Sequence, residues 1–319
     1  MTVRSIAAVL AASLAVAVLS GCGESETPPA AGQLRIATGL DGGVYRVYGS
    51  ALASVLNDDL RPMRATALAT EGSVDNLQRL DERRAEVAFT LADSALPAMT
   101  GKAPFARPVK IMALARLYDD YLQIIVRRDS ELRHIGDLAG KRVSIGARRS
   151  GTALQARRIL RMPIMHLRGS RAVRTRSLTL KQSTAALAEG RIDALFWSGG
   201  LPTDAIDDLR KTVAIRLIGL PAGTAARLDP DLYTETQIPQ YVYGKEGAVR
   251  TVIASNLLVV RRNLPAEIAF RITRALFEHK SELVAKHPQA RRLNLRSAIA
   301  TFPLDLHPGA KRWYRQERR

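Results

Sequence analysis

"RVSIGARRSGTALQARR" (Arg142–Arg158) reads as a β-strand that enters a Gly/Ser turn and leaves it as a helix. The spacing of Gly146 and Gly151 fits a nucleotide phosphate loop, but that reading fails at the next residues. Such a loop needs a Lys after its second glycine and then a Ser or Thr for magnesium, and here Thr152 and Ala153 follow Gly151. A turn of this kind at a strand's carboxyl end is the α/β signature, and the rest of the chain repeats it.

"QLRIATG", "RATALAT" and "AEVAFTLAD" read as strands. They alternate with the helical stretches "VYRVYGSALASVLNDDL" and "SVDNLQRLDERR", the latter with Ser73 as its N-cap. Further on, "LQIIVRRDS", "KRVSIG" and "DALFWSG" are strands, "TALQARRIL" and "SLTLKQSTAALAEG" are helices, and Gly190 closes the second of these. "TVIASNLLVVRR" is apolar on both faces, as an internal strand is. "AEIAFRITRALFEHKSELVAKH" is amphipathic helix.

Four turns share one design: "TGLDGGV", "ATEGSVDN", "IGARRSGT" and "FWSGGLP". Each closes a strand and opens a helix, which is where open α/β sheets bind ligands. The free N–H groups and positive dipole end of a helix start suit a carboxylate or phosphate. Turn geometry and capping alone also account for Gly and Ser in any single one of them.

The N-terminus is of another kind. Arg4 precedes the apolar run "IAAVLAASLAVAVL", too short to span a bilayer and suited to a secretory signal. Leu19, Ser20, Gly21 and Cys22 resemble the bacterial lipobox, and Cys22 is the only cysteine in the chain. The expectation is a signal peptide over 1–21, lipid on Cys22 and a polar linker over 22–32, with the mature domain tethered outside the cytoplasmic membrane.

The formal charge of +18 invites a nucleic-acid reading. The arginines are spread along the whole chain, however, and form no aromatic-laced stripe. Attraction to anionic headgroups, a field favouring anionic ligands, or a merely solvated surface all remain.

Together "ATGLDGGVYRVYG", "TEGSVDNLQRL", "AEVAFTLAD", "LAEGRIDALFWSGGLP" and "PLDLHPGAKRWYR" resemble the TAXI family of solute receptors for tripartite ATP-independent periplasmic (TRAP) transporters. The resemblance runs through nearly the whole mature chain. It implies a two-lobed α/β periplasmic binding protein of type II with the ligand cleft between lobes. The lobes would be 33–117 with 262–319, and 118–261, with crossings near Tyr118 and Arg261. It further implies capture of a small carboxylate such as glutamate or 2-oxoglutarate, and delivery to a TRAP permease. A ligand-presenting role toward a sensory receptor kinase is the alternative.

By position, the family's binding residues fall on Tyr45, on Gly72 to Val74, on Asp93 and on Ser150 to Thr152. Gly43 and Gly199 belong to the same set of turns, and Tyr45 and Trp197 would cover the apolar part of a ligand or else pack between lobes. The chain departs from the family at Val44, Arg46, Leu91, Ala92, Arg148 and Arg149, losing polar groups and gaining cations. Arg149 is accordingly expected to grip an anionic ligand bidentately, unless it and Arg148 point to solvent.

No catalytic set is visible. His134, His166, His279, His287 and His307 lie outside the four turns and lack metal-ligand spacing. There is no G-x-S-x-G elbow. Asp93 by itself reads as a hydrogen-bond acceptor before it reads as a general base. Neither enzyme activity nor a cofactor is expected.

Overall fold

A computed structural model of the chain describes residues 32–163, 172–243 and 247–317. The signal segment, Cys22 and His166 lie outside the described residues. Strands β1 (Gln33–Ala37), β2 (Arg64–Leu68) and β3 (Val87–Leu91) run parallel, joined by helices α1 (Val44–Asp59) and α2 (Ser73–Asp81). Helix α3 (Ala92–Thr100) leaves β3 and leads to β4 (Ile111–Arg127).

Strand β4, at 17 residues, organises the molecule. At about 3.3 Å per residue it is about 56 Å long, enough to serve two halves. Its first part lies beside β10 (Val249–Arg261), which has β3 on its other side over Asn256 to Val260. From Tyr121 onward β4 pairs instead with β7 (Ala194–Gly199) on one side, and β10 takes β9 (Tyr233–Ile238). Strands β5 (Arg142–Ser144) and β6 (Arg174–Arg176) extend the sheet beyond β7, and the short β8 (Ile215–Leu217) pairs with the end of β4. The result is one mixed α/β sheet in the order β2, β1, β3, β10, β4, β7, β5, β6. Register shifts mark bulges between Asn256 and Leu257, next to the change of partners, and between Leu258 and Val259 within the first half.

Periodicity explains the layers. On one face of β1, β3 and the start of β4, Tyr48, Leu52 and Leu56 of α1 pack with Leu276 of α8 (Ala266–Glu278) and Trp313 of α11 (Pro308–Glu317). On the other face lie Leu77 and Leu80 of α2 and Ala95 of α3. In the second half, α4 (Gly151–Leu160) covers one face, while α5 (Leu180–Ala188) and α6 (Asp204–Thr212) bring Leu187, Ile206 and Leu209 to the other. The short α7 (Thr224–Leu228) leads into β9, and α9 (Lys280–Lys286) and α10 (Leu295–Ala298) join α8 to α11.

One local expectation is corrected. Gly72 is the residue before α2, with φ +118°, and Ser73 is the first residue inside the helix. The Ser73 hydroxyl is used across the structure, accepting from Leu91 N–H at 3.1 Å. The left-handed backbone at Gly72 favours glycine there.

Candidate functional site

All four turns open on one cavity, of about 740 Å³ with its mouth included. Gly43, Tyr45, Gly72 and Ser73 line it from the first half, and Ser150, Gly151, Thr152, Trp197 and Gly199 from the second. Several of these side chains are already engaged. Ser150 caps α4, accepting from Ala153 N–H at 3.0 Å, and Thr152 accepts from Ser198 N–H at 3.2 Å. Tyr45 donates to Asn256 Oδ1, and Trp197 Nε1 donates to Thr203 at 3.0 Å. Their contribution toward the cavity is therefore shape and exposed backbone. The first N–H groups of α1, α2 and α4 have no intrahelical acceptors, and those helices begin at the cavity wall.

Two expected residues have different positions, and both corrections have the same cause. Arg149 does not line the cavity, because its guanidinium is spent across the halves. It pairs with Glu71 at 3.1 Å and Asp75 at 2.9 Å, both in the first half, while its own N–H donates to Glu71 and its carbonyl accepts from Asp75 N–H. Asp93 is fully buried behind the wall, accepting from the Tyr233 hydroxyl and pairing with Arg158 at 3.5 Å. Tyr233 and Arg158 belong to the second half, so Asp93 too is a clasp residue. Arg148 is exposed to solvent.

Arg149→Ala accordingly acts on closure and makes no ligand contact to lose. The pair is over a third exposed on the arginine side, so it is worth about 0–1 kcal/mol. The expected result is a loss of solute affinity of no more than about fivefold for every solute alike, with a more open solution envelope by small-angle scattering. A loss confined to anionic solutes would return Arg149 to the site.

The groups with spare hydrogen-bonding capacity are ones that motif reading passed over. Tyr118 and Asp120 sit two residues apart on β4 and so share a face, and both line the cavity. The pleat sends the intervening Asp119 the other way, where Arg116 holds it with two bonds of 2.8 Å and Ser255 donates at 3.0 Å. Asp120 is 94% buried, from a relative exposure of 6%, and its Oδ1 has no partner among the described residues. The Tyr118 hydroxyl and Ser198 Oγ are likewise buried, lining and unpartnered. Burial pushes the Asp120 carboxyl up to about 7, with Asp119 and Asp93 acting in the same direction and Asn256 opposing. The signal in the sequence was "LYDDYLQIIV", an Asp pair inside an otherwise apolar strand.

The arginines near the cavity are spent on its carboxylates: Arg46 holds Asp41 at 3.4 Å and Arg149 holds Glu71 at 3.1 Å, and Asp120 has no cation paired to it among the described residues. The ionisable carboxylates of the wall are Asp41, Glu71 and Asp120, and no Lys, Arg or His lines it among the described residues. Nor, among the described residues, do three or more His, Cys, Asp or Glu come together as metal ligands.

A sequence profile described as the NMT1-like family matches residues 36–317. The chain belongs to the NMT1-like family. The match gives the NMT1-like family and not the TAXI assignment expected from the sequence, and it takes in both halves and the cavity. The fold of this NMT1-like chain is that of solved solute-binding structures. A binding protein component of an ABC phosphonate transporter from Pseudomonas aeruginosa matches with a TM-score of 0.56 at 11% identity, over 81% of this chain and 78% of that one. A Xanthomonas citri protein bound to ATP matches with a TM-score of 0.51 at 14% identity, over 89% of this chain and 94% of that one. A putative L-cystine ABC transporter protein from Listeria monocytogenes gives 0.50 at 15%, over 82% and 98%.

Proposed function

We propose that this protein is an extracytoplasmic solute receptor that closes two lobes on a small zwitterion and hands it to a membrane permease. The observation that supports it is the convergence of three buried, unpartnered oxygens, the Tyr118 hydroxyl, Asp120 Oδ1 and Ser198 Oγ, on a cavity walled from both halves. Buried polar groups of this kind cost free energy until a ligand satisfies them. A carboxylate seated on the N-termini of α2 and α4 uses their free N–H groups and dipoles. A protonated nitrogen on the same solute faces Asp120. The capture of a small carboxylate is kept from the family resemblance, and Asp120, the lining carboxylate with no cation paired to it among the described residues, adds the cationic end.

Closure follows from the strand arrangement. The lobes join where the sheet partners change, at Tyr118 to Tyr121 on β4 and at Ala254 to Asn256 on β10. On this reading the second crossing lies earlier than the expected position near Arg261, which pairs with Ile111. Solute contacts made by both lobes exist only in the closed form, so binding shifts the population toward closure. The permease then reads the closed shape. Lipid on Cys22 would keep the receptor beside it.

The first test is calorimetric titration of the purified chain with amino acids, the matching 2-oxo acids and simple amines. Tight binding of an amino acid with its 2-oxo partner weaker by tenfold or more is the expected result. Equal affinity for both rejects the cationic contact. The permease class is read from uptake in cells: a requirement for an ion gradient identifies the TRAP partner of the TAXI resemblance, whereas a direct requirement for ATP identifies an ABC partner, as named for the phosphonate and L-cystine proteins.

A further inference from the structure

A second group of charges lies at the opposite end of the first half from the cleft. There β10 ends with Arg261 paired to Ile111 at the start of β4, and Val260 is paired to Val87 at the start of β3. Three segments converge on one open concavity: the end of α2 with Arg83 just beyond it, the approach to β4 with Arg107 and Lys110, and the chain leaving β10 with Arg261 and Arg262. Five cations line it against a single acid, Asp81. That acid is already paired with Arg107 at 3.0 Å, and Glu86 nearby is held by Arg35 at 2.8 Å.

The remaining cations are short of partners. Among the described residues, Arg83, Lys110 and Arg262 are exposed and have no acid paired to them. Arg261 is different because it is buried, with a relative exposure of 9%. Its nearest carboxylate oxygen, on Glu86, is 3.8 Å away, and its Nε has no acceptor at all. Burial lowers its pKa, Glu86 partly offsets this, and Arg83 and Arg35 push further down. A buried guanidinium with its Nε unmet among the described residues, only a long pairing to Glu86 and other cations around it is stabilised when an anion joins it.

We infer that this concavity is a binding site for a phosphate-bearing anion, with Arg261 as its buried member and Arg83, Lys110 and Arg262 as its exposed members. The planar fork of arginine matches two phosphate oxygens at once, and lysine adds a point charge. The location bears on the source of the anion. Ile36 pairs with Val87, so β1 starts at Gln33 on this same edge of the sheet, and the chain from the N-terminus arrives there. Lipid headgroups and free phosphate share the required chemistry. The site is independent of the cleft and of any solute bound in it.

The test uses the purified full chain, inorganic phosphate in calorimetry, and co-sedimentation with vesicles of pure phosphatidylcholine or of phosphatidylcholine with phosphatidylglycerol. The wild type is compared with Lys110→Glu/Arg262→Glu, which changes only exposed residues, and melting temperature and cleft-solute affinity report that variant's integrity. The expected result is phosphate or phosphatidylglycerol binding that falls at least tenfold in the variant, with melting temperature and solute affinity kept. Binding of inorganic phosphate assigns a soluble anion, and binding of phosphatidylglycerol vesicles without free phosphate assigns a lipid headgroup. Wild type and variant behaving alike toward both probes overturns the site, as does wild type binding neither.

Discussion

Asp120→Asn lowers affinity for an amino-acid-like solute by roughly 10- to 150-fold, the 1.5–3 kcal/mol scale of a hydrogen bond to a charged group. It leaves affinity for the matching 2-oxo acid nearly unchanged. The asparagine keeps the size of the side chain and removes its charge, so the fold is retained. Calorimetry on both solutes checks the pair of outcomes, and an equal loss for both would remove Asp120 from direct contact with the nitrogen.

The pH dependence gives an independent reading of the same group. With no cation beside it, Asp120 titrates at about 7, chiefly because it is buried. A bound ammonium favours the ionised form, so the pKa falls on binding and the complex holds fewer protons than the free protein. Affinity is therefore full above pH 7 and declines by up to about tenfold per unit as the pH falls below it. The groups acting on Asp120 are Asp119, Asp93 and Asn256, and none of them is a cation that would reverse this sign. Folding shows the opposite trend. The native carboxyl is raised above its unfolded value, so the native state of the unliganded protein binds the extra proton between about pH 4 and 7. Its contribution to stability is complete at the acid end of that window and is lost as pH rises through it. Asp120→Asn removes both trends.

Gly151→Val blocks closure. A Cβ built at Gly151 lies 2.5 Å from Leu91 Cδ1 and 2.8 Å from Ser73 Oγ, both on the opposite half. Overpacking of this kind costs about 1–3 kcal/mol, and it is felt only when the halves meet. The expected result is a loss of roughly 5- to 150-fold in affinity for every solute, with the melting temperature of the unliganded protein preserved and its solution envelope enlarged. Unchanged affinity would mean that Leu91 and Ser73 yield to the new side chain. A variant that loses all solutes equally and one that loses only ammonium-bearing solutes separate closure from recognition.

Much of this architecture is legible in the residues because its signals are local. The strand, turn and helix around Gly146 to Leu154 announce themselves by alternation, by glycine and by a serine cap. The same grammar places the other three turns and the glycine at position 190. These signals depend on neighbours within a few residues, and local propensity and periodicity act over that range.

Asp120, Arg149 and Asp93 show where such reading stops. Asp93 and Arg149 lie near turns and Asp120 lies within strand β4, and nothing in their immediate neighbours distinguishes a ligand contact from a clasp. Arg149 is neutralised by Glu71 and Asp75, more than seventy residues earlier, and Asp93 by Arg158 and Tyr233. Asp119 and Asp120 differ by one step of the pleat, which sends one to Arg116 and leaves the other at the cavity wall with its Oδ1 unpartnered. By itself the sequence determined the α/β order and the four strand-to-helix turns. Only the tertiary structure decided which charges pair across the halves and which carboxylate keeps an unpartnered oxygen at the cavity wall, because partner and solvent access are set by segments distant in the chain.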